Sequence, residues 1–255
     1  MNDERMNGRR FRIDDVGDGV RLVTMCRPAK LNAMDRQWFA ELTEWTSELG
    51  EASDVRAIVL TGEGRAFSAG GDIDMFADLD GDVSRVRPHL RRVYEAFHHV
   101  ETCAVPVIGA VNGIAFGGGT ELALACDIVV AGESAEFSFK EVTVGLMPGY
   151  GVIRAPEVMG RHWTRYLALT GRTVGPRTME RAGLVIETFA DELLVERAIA
   201  IAREIAGFST LGVRVGKSFI NRDTGSGYAE SVEATALLFD TDEHRDAVRA
   251  FVSRG

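Results

Sequence analysis

Cysteine is scarce, with Cys26, Cys103 and Cys126 alone in the chain and widely spaced. An odd, scattered set of this kind fits reduced thiols in a cytoplasmic protein better than a disulfide framework. Histidine is scarce too. His89, His98, His99, His162 and His244 form no HExxH pattern and meet no CxxC, so a dedicated metal site is not expected. Basic excess is absent: the net charge is −9 over 255 residues, which leaves no counterion-release footprint for nucleic acid or anionic lipid. Apolar runs of eighteen residues are also missing, and the first residues, Met1 to Arg5, mix acids with a base and lead into no apolar segment. Neither a membrane span nor a secretory signal is expected. The Gly-rich segments lack both the G-x-G-x-x-G spacing and a G-K-[ST] ending, which removes dinucleotide and nucleoside-triphosphate readings.

What is present is a soluble globular composition, 45% hydrophobic and 26% charged. That is enough to bury one large core or two small ones. Short β-branched runs at Val20–Met25, Ala57–Thr61, Val107–Val111 and Asp127–Ala131 read as buried strands. Helical periods separate them. Asp35 to Leu49 is one, with Asp35 as its N-cap, and the stretch from Glu121 to Cys126 continues a helix opened by glycines. From about Trp163 the strands are expected to stop. Asp191–Ala206 places Leu194, Ala198, Ile201 and Ile205 on one face, and Tyr228–Leu238 and Asp242–Val252 repeat the helical pattern. This predicts an α/β core over residues 1–190 and a helical region over 191–255 that packs on the core and on neighbouring subunits.

Two turns carry the chemistry. Ala66-Phe67-Ser68-Ala69-Gly70-Gly71-Asp72-Ile73 follows the strand ending at Thr61, and the segment Asn112 to Glu121, with Gly117-Gly118-Gly119, follows the strand ending at Val111. Each delivers small residues to a helix start, where unpartnered N–H groups and the positive end of the dipole await an anion. Two such ends converging would make an oxyanion hole. Glu121 and Glu141 stand beside them as a possible acid–base pair. Taken singly, Glu121 could equally complement a helix dipole, and Glu141 could be a surface acid beside Lys140.

Four blocks in register give the pattern its specificity: Arg27-Pro28-Ala29-Lys30-Leu31-Asn32-Ala33-Met34, the two glycine turns, and Phe137-Ser138-Phe139-Lys140-Glu141-Val142 with Gly145-Leu146-Met147-Pro148-Gly149. Together they resemble the crotonase (enoyl-CoA hydratase/isomerase) superfamily, from about residue 10 to 254, and most of all its enoyl-CoA hydratases of fatty acid metabolism. The resemblance implies a spiral of ββα repeats with a C-terminal helical trimerisation region, and an acyl-CoA thioester as substrate. Coenzyme A arrives as part of that substrate, so no separate cofactor is implied. It places the thioester oxygen at the amides of Gly71 and Gly118. Glu141 becomes the acid that protonates C2 and Glu121 the base that orients water. Around them Ala29, Lys30, Leu31, Ala33, Ala69, Gly70, Asp72, Ile73 and Gly117 bind substrate or CoA, with Lys30 near phosphate. Phe251 and Arg254 fall on a pattern that reaches CoA on a neighbouring subunit, in a homotrimer or homohexamer.

The departures are Lys140, where many hydratases have Pro, and Tyr150-Gly151-Val152-Ile153 in place of the commoner Gly-Gly-Thr; both flank the acyl pocket and leave chain length open. Tyr94, His98 and His99 read as ordinary helix-face residues. The rivals are an enoyl-CoA isomerase, which needs only one carboxylate, and a non-catalytic acyl-CoA binder. An RNA-binding branch of the superfamily uses a lysine-rich helix. The stretch from Met34 to Glu51 carries five acids in its place, so that reading fails.

Overall fold

The computed structural model describes residues 8–221 and 228–253. In chain order the strands are β1 (Phe11–Asp15), β2 (Val20–Met25), β3 (Ala57–Gly62), β4 (Ala66–Ser68), β5 (Val107–Val111), β6 (Ile114–Phe116), β7 (Ile128–Gly132), β8 (Glu136–Ser138) and β9 (Glu187–Phe189). The helices are α1 (Arg36–Glu51), α2 (Ile73–Leu79), α3 (Val83–Thr102), α4 (Gly118–Ala125), α5 (Gly151–Thr170), α6 (Pro176–Ala182), α7 (Leu194–Ala206), α8 (Thr210–Ile220), α9 (Tyr228–Phe239) and α10 (Asp242–Val252). Short 3-10 turns sit at Pro28–Lys30, Lys140–Val144 and Asp191–Leu193.

Two sheets stand side by side. The larger runs β1-β2-β3-β5-β7-β9, parallel except for the antiparallel pair β1 and β2, and the smaller is the parallel set β4-β6-β8. Successive strand pairs β3/β4, β5/β6 and β7/β8 each give one strand to each sheet before turning into α2, α4 or the 3-10 turn that carries Glu141. The chain therefore winds as a spiral of ββα units. Strands β3 and β5 are buried at every position, as expected where helices cover both faces of a parallel sheet.

One face of the large sheet is covered by α7, where Leu194, Ala198, Ala202 and Ala206 pack on Val20, Ala57, Val59, Ile108, Ala110 and Val130. The other face meets α1, α3, α4 and α5 in the main core around Trp38, Phe97, Leu122 and Tyr150. Asp35 caps α1 as its sequence position requires, accepting from the Trp38 amide at 2.8 Å. The expectation that strands stop at Trp163 is corrected by β9, which pairs with β7 through Val130, Ala131 and Gly132. Three residues are too few to show an alternating pattern in sequence.

Helix α8 is held differently. Lys217 is its one buried residue, and its ammonium donates to Asp127 Oδ2 at 2.6 Å and to the Val105 carbonyl at 3.1 Å. Burial pushes the Asp127 carboxyl up and the Lys217 charge opposes that rise. Removing the cation leaves the Asp127 carboxylate, 19% exposed at its side chain, without its partner, so Lys217→Met is expected to lower stability by about 2 kcal/mol. Urea unfolding monitored by circular dichroism reads this directly, and an unchanged midpoint would reduce the pair to a surface contact.

Candidate active site

The small sheet positions the site. The turn after β4 brings Gly70 (φ +89°) against the turn after β6: a β-carbon placed on Gly70 would lie 2.6 Å from the Phe116 carbonyl oxygen and 2.9 Å from the Gly118 nitrogen. One on Gly118 would lie 3.7 Å from the Gly71 nitrogen. The two amides expected to share an oxyanion are thus neighbours, and only glycine allows this approach. Among the described residues neither N–H donates to a partner within the chain. Gly118 opens α4, so its amide is one of the unpaired donors of a helix N-terminus.

The first glycine turn is laced to the segment at residues 27–34. Met34 N–H donates to Gly70 O at 2.8 Å, Asp72 N–H to Met34 O at 3.0 Å, and Ala69 N–H to Leu31 O at 2.9 Å. These bonds use the backbone on either side of Gly71 and leave its own amide available. Leu31 and Asn32 both adopt positive φ (51° and 55°), and the fully buried Asn32 side chain secures the bend. Its Oδ1 accepts from Arg27 N at 2.8 Å and its Nδ2 donates to Ala66 O at 2.8 Å and Glu63 O at 3.0 Å.

Both glutamates are enclosed. Glu121 projects from the first turn of α4, 6% exposed, and its Oε1 accepts from the Gly151 amide at 2.8 Å at the start of α5. Glu141 sits on the 3-10 turn Lys140–Val144 with its Oε1 over Gly117: a β-carbon there would come within 2.7 Å of it. The Oε2 of Glu141 is buried with no hydrogen-bond partner among the described residues. Burial raises the Glu121 carboxyl to about 7, against the pull of the Gly151 and Tyr150 amides. Burial also raises Glu141 well above its ordinary value, and the charge of Glu121 adds to that rise. The two carboxyls therefore feel each other and titrate as a unit.

This linkage has a measurable consequence. Glu121 binds its proton more strongly in the folded state than in the unfolded chain, so its contribution to stability is full below about pH 4.5 and is lost as pH rises through about 7. The penalty at pH 8 is on the order of 3 kcal/mol. Glu121→Gln is expected to be more stable than the parent at pH 8, with the gap closing at pH 5. Urea midpoints at the two pH values test it, and parallel curves would contradict the raised titration.

Of the residues singled out from sequence, the structure gathers Glu121, Glu141, Gly70, Gly71, Gly117 and Gly118, with Leu31, Ala33 and Ala69 bound in by backbone. Ala29 and Lys30 lie on the exposed 3-10 turn Pro28–Lys30, and Lys30 pairs with Asp74 at 3.1 Å. Asp72 turns away from the site to cap α2 through the Asp74 amide and to pair with Arg27, while Ile73 begins that helix. Phe251 is exposed on α10, and Arg254 lies outside the described residues. Lys140 points away from Glu141, donating to Gly171 O at 2.9 Å and Thr173 Oγ1 at 3.0 Å. Sequence reasoning missed Asn32 as the fastener of residues 27–34; an Asn between a Leu and a strand-like Ala-Met, where a left-handed bend is needed, was the available signal.

Helix α10 bears on the site from outside. The His244 ring packs 4.5 Å from Phe239, and its Nδ1 lies 2.7 Å from the Val144 carbonyl at the end of the 3-10 turn that holds Glu141. A cavity of about 310 Å³ opens between α2 and α10, with Phe76, Asp80, Arg245, Val248 and Val252 in its walls. Phe76 also backs the oxyanion turn, since a β-carbon on Gly71 would strike its ring at 2.3 Å. Among the described residues no cluster of three or more His, Cys, Asp or Glu is placed to hold a metal ion, and no helix is long and apolar enough to cross a membrane.

Two glycine turns whose amides are unpaired among the described residues, two interacting carboxyls held by burial and a double-sheet ββα spiral define the class. The chain belongs to the enoyl-CoA hydratase/isomerase family, whose model matches residues 15–254. It is 35% identical over 240 residues to a probable enoyl-CoA hydratase of Rhizobium meliloti, and 32% identical over 242 residues to the 2,3-dehydroadipyl-CoA hydratase of Escherichia coli; 92% of each chain is covered in both cases. The structure superposes on that of an enoyl-CoA hydratase/isomerase from Mycobacterium paratuberculosis with a TM-score of 0.88 at 29% identity, covering 94% of this chain and 98% of the other. The crotonase fold expected from the four sequence blocks is the fold observed.

Proposed function

We propose that this chain adds water across the 2,3 double bond of an enoyl-CoA thioester, reversibly giving the 3-hydroxyacyl-CoA, with Gly71, Gly118, Glu121 and Glu141 as its working groups. The observation that carries the reading is the juxtaposition of two free, converging amides with two coupled carboxyls of raised pKa. Hydration puts negative charge on the thioester oxygen as water oxygen bonds to C3. Two preorganised donors then stabilise the enolate by about 3 kcal/mol each, judged by single-donor losses in other enzymes. Glu121, held by the α5 amide, orients the water and takes its proton. Glu141, whose proton is held more tightly by burial and by the charge of Glu121 and whose Oε2 has no partner among the described residues, delivers a proton to C2. One proton is taken and one given, so the pair ends with the charge it began with.

The test is direct: crotonyl-CoA with the protein should lose its enoyl-thioester absorbance. A 3-enoyl-CoA that gains that absorbance, while crotonyl-CoA is inert, would mark an isomerase, and inertness towards both with tight binding would mark a binder. Coenzyme A enters with the substrate, and no other cofactor is part of this scheme. A panel of enoyl-CoA lengths, with a dicarboxylic acyl group included, assigns the acyl specificity.

We further infer a homotrimer or homohexamer in the cytoplasm. Support comes from the solvent-facing apolar residues of α8, where Leu211, Val215, Phe219 and Ile220 are 72%, 44%, 55% and 83% exposed. Such a stripe is left bare in few monomers. Light scattering that returned the monomer mass would refute the assembly. The net charge of −9 leaves nucleic acid out of this reading.

A further inference from the structure

Behind Glu121 lies a buried ionic cluster that the hydration scheme does not use. Glu101, on the last turn of α3, is 3% exposed; its Oε2 accepts from the Tyr150 hydroxyl at 3.0 Å and its Oε1 pairs with Arg154 Nε at 2.6 Å. His98 faces it from its own helix at 3.6 Å, and Asn221 Nδ2 donates to its backbone carbonyl at 2.8 Å. Asp127, just before β7 and paired with Lys217, feels the Glu101 charge, and Glu157 pairs with the same Arg154. Taking such ions out of water is costly and is seldom repaid in stability alone.

The cluster closes on one short segment. Tyr150 is the N-cap residue of α5 and Gly151 its first residue, and these are the two amides that hold Glu121. Glycine flanks Tyr150 on both sides because packing demands it: a β-carbon on Gly149 would fall 1.8 Å from the Tyr94 hydroxyl oxygen, and one on Gly151 would meet the Phe139 ring at 2.8 Å. Two glycines around one residue leave that backbone loosely specified unless the residue between them is pinned. The Tyr150 ring is pinned, buried to 1% exposure and edge-on to Phe97 at 5.3 Å, with its hydroxyl on Glu101. Arg154, one turn further along α5, anchors the same carboxylate from the helix itself.

We propose that Glu101 is a positioning residue for catalysis: acting through the Tyr150 hydroxyl and the Arg154 guanidinium, it fixes the first turn of α5 so that the Tyr150 and Gly151 amides aim the Glu121 carboxylate at the water site. The inference rests on the hydratase reading for its kinetic consequences, and on geometry alone for the grip on Glu121. Weakening the grip lets the carboxylate swing and removes donors that favour its charged form.

Two variants and two readouts decide it. Glu101→Gln is expected to lower kcat for crotonyl-CoA about 10-fold, with KM within about twofold and the acid limb of the pH–rate profile moved upward by roughly half a unit or more. Tyr150→Phe should do the same, and the double variant should be no slower than the worse single, because the two groups act in one chain of contacts. A purely structural role would lower the melting temperature and leave kcat and the pH limb unchanged, and that result would overturn the proposal. The second readout needs no activity: in Tyr150→Phe the pH range over which stability falls should shift upward with the Glu121 titration, and an unmoved range overturns it. If the parent protein hydrated nothing, this readout would still decide the positioning role while the functional reading fell separately. If Tyr150→Phe did not fold, the kinetics of Glu101→Gln would decide alone.

Discussion

Glu141→Gln is expected to lower kcat at least ~100-fold with KM changed only a few-fold, and Glu121→Gln to do likewise, since each change removes a proton-transfer group and leaves its shape in place. The glutamine at 141 keeps the volume of a side chain whose Oε2 has no partner among the described residues, so no hydrogen bond is lost with the proton. At 121 the amide oxygen can still accept from Gly151. The thioester oxygen still meets both glycine amides, which is why substrate binding should survive. Because burial raises the Glu121 carboxyl to about 7, and burial with the charge of Glu121 raises that of Glu141, the pH–rate profile of the parent should be bell-shaped with its acid limb near 7. Initial rates on crotonyl-CoA, with the double variant alongside, test the assignment. Turnover near the parent's from either single variant would remove the role given to that residue. A double variant much slower than either single would mean that the two carboxyls act independently.

Much of this architecture was legible in the chain, and what was not has a common cause. The strands β2, β3, β5 and β7 are five or six residues long and dominated by buried β-branched side chains, so they announce themselves. The strands of the second sheet, β4, β6 and β8, have three residues each, too few for any period, and the glycine turns were accordingly joined directly to the strands ending at Thr61 and Val111. In the folded chain a short strand of the second sheet intervenes each time, and its change of direction is what brings Gly71 and Gly118 face to face. The glycines themselves could be read because close approach of backbone admits no other residue. The partners of charged side chains could not be read: Lys30 meets Asp74 forty-four positions on, and Arg27 meets Asp72 forty-five positions on. Glu101 likewise sits between a Val and a Thr in sequence and beside an Arg and a Tyr in space.

Gly117→Ala is expected to remove both activity and several degrees of thermal stability, through two separate effects at one position. Gly117 adopts φ 52° and ψ −120°, a combination outside the left-handed region that other residues tolerate. Holding alanine there costs roughly 1–3 kcal/mol, and for a chain of this size that corresponds to a fall in Tm of about 2–12 °C. The new β-carbon would also lie 2.7 Å from Glu141 Oε1, closer than any real contact, so the carboxylate must move off the turn that holds it. Displacement of a proton donor by about an ångström is enough for a ~100-fold loss in kcat. Gly175→Ala is the control: its backbone is extended at φ −83° and ψ 172°, nothing lies within 4 Å of a β-carbon there, and both rate and Tm should stay near the parent's. If Gly117→Ala lost stability but kept its rate, the Glu141 carboxylate could not be seated over Gly117 during turnover, and the proton delivered to C2 would have to come from elsewhere.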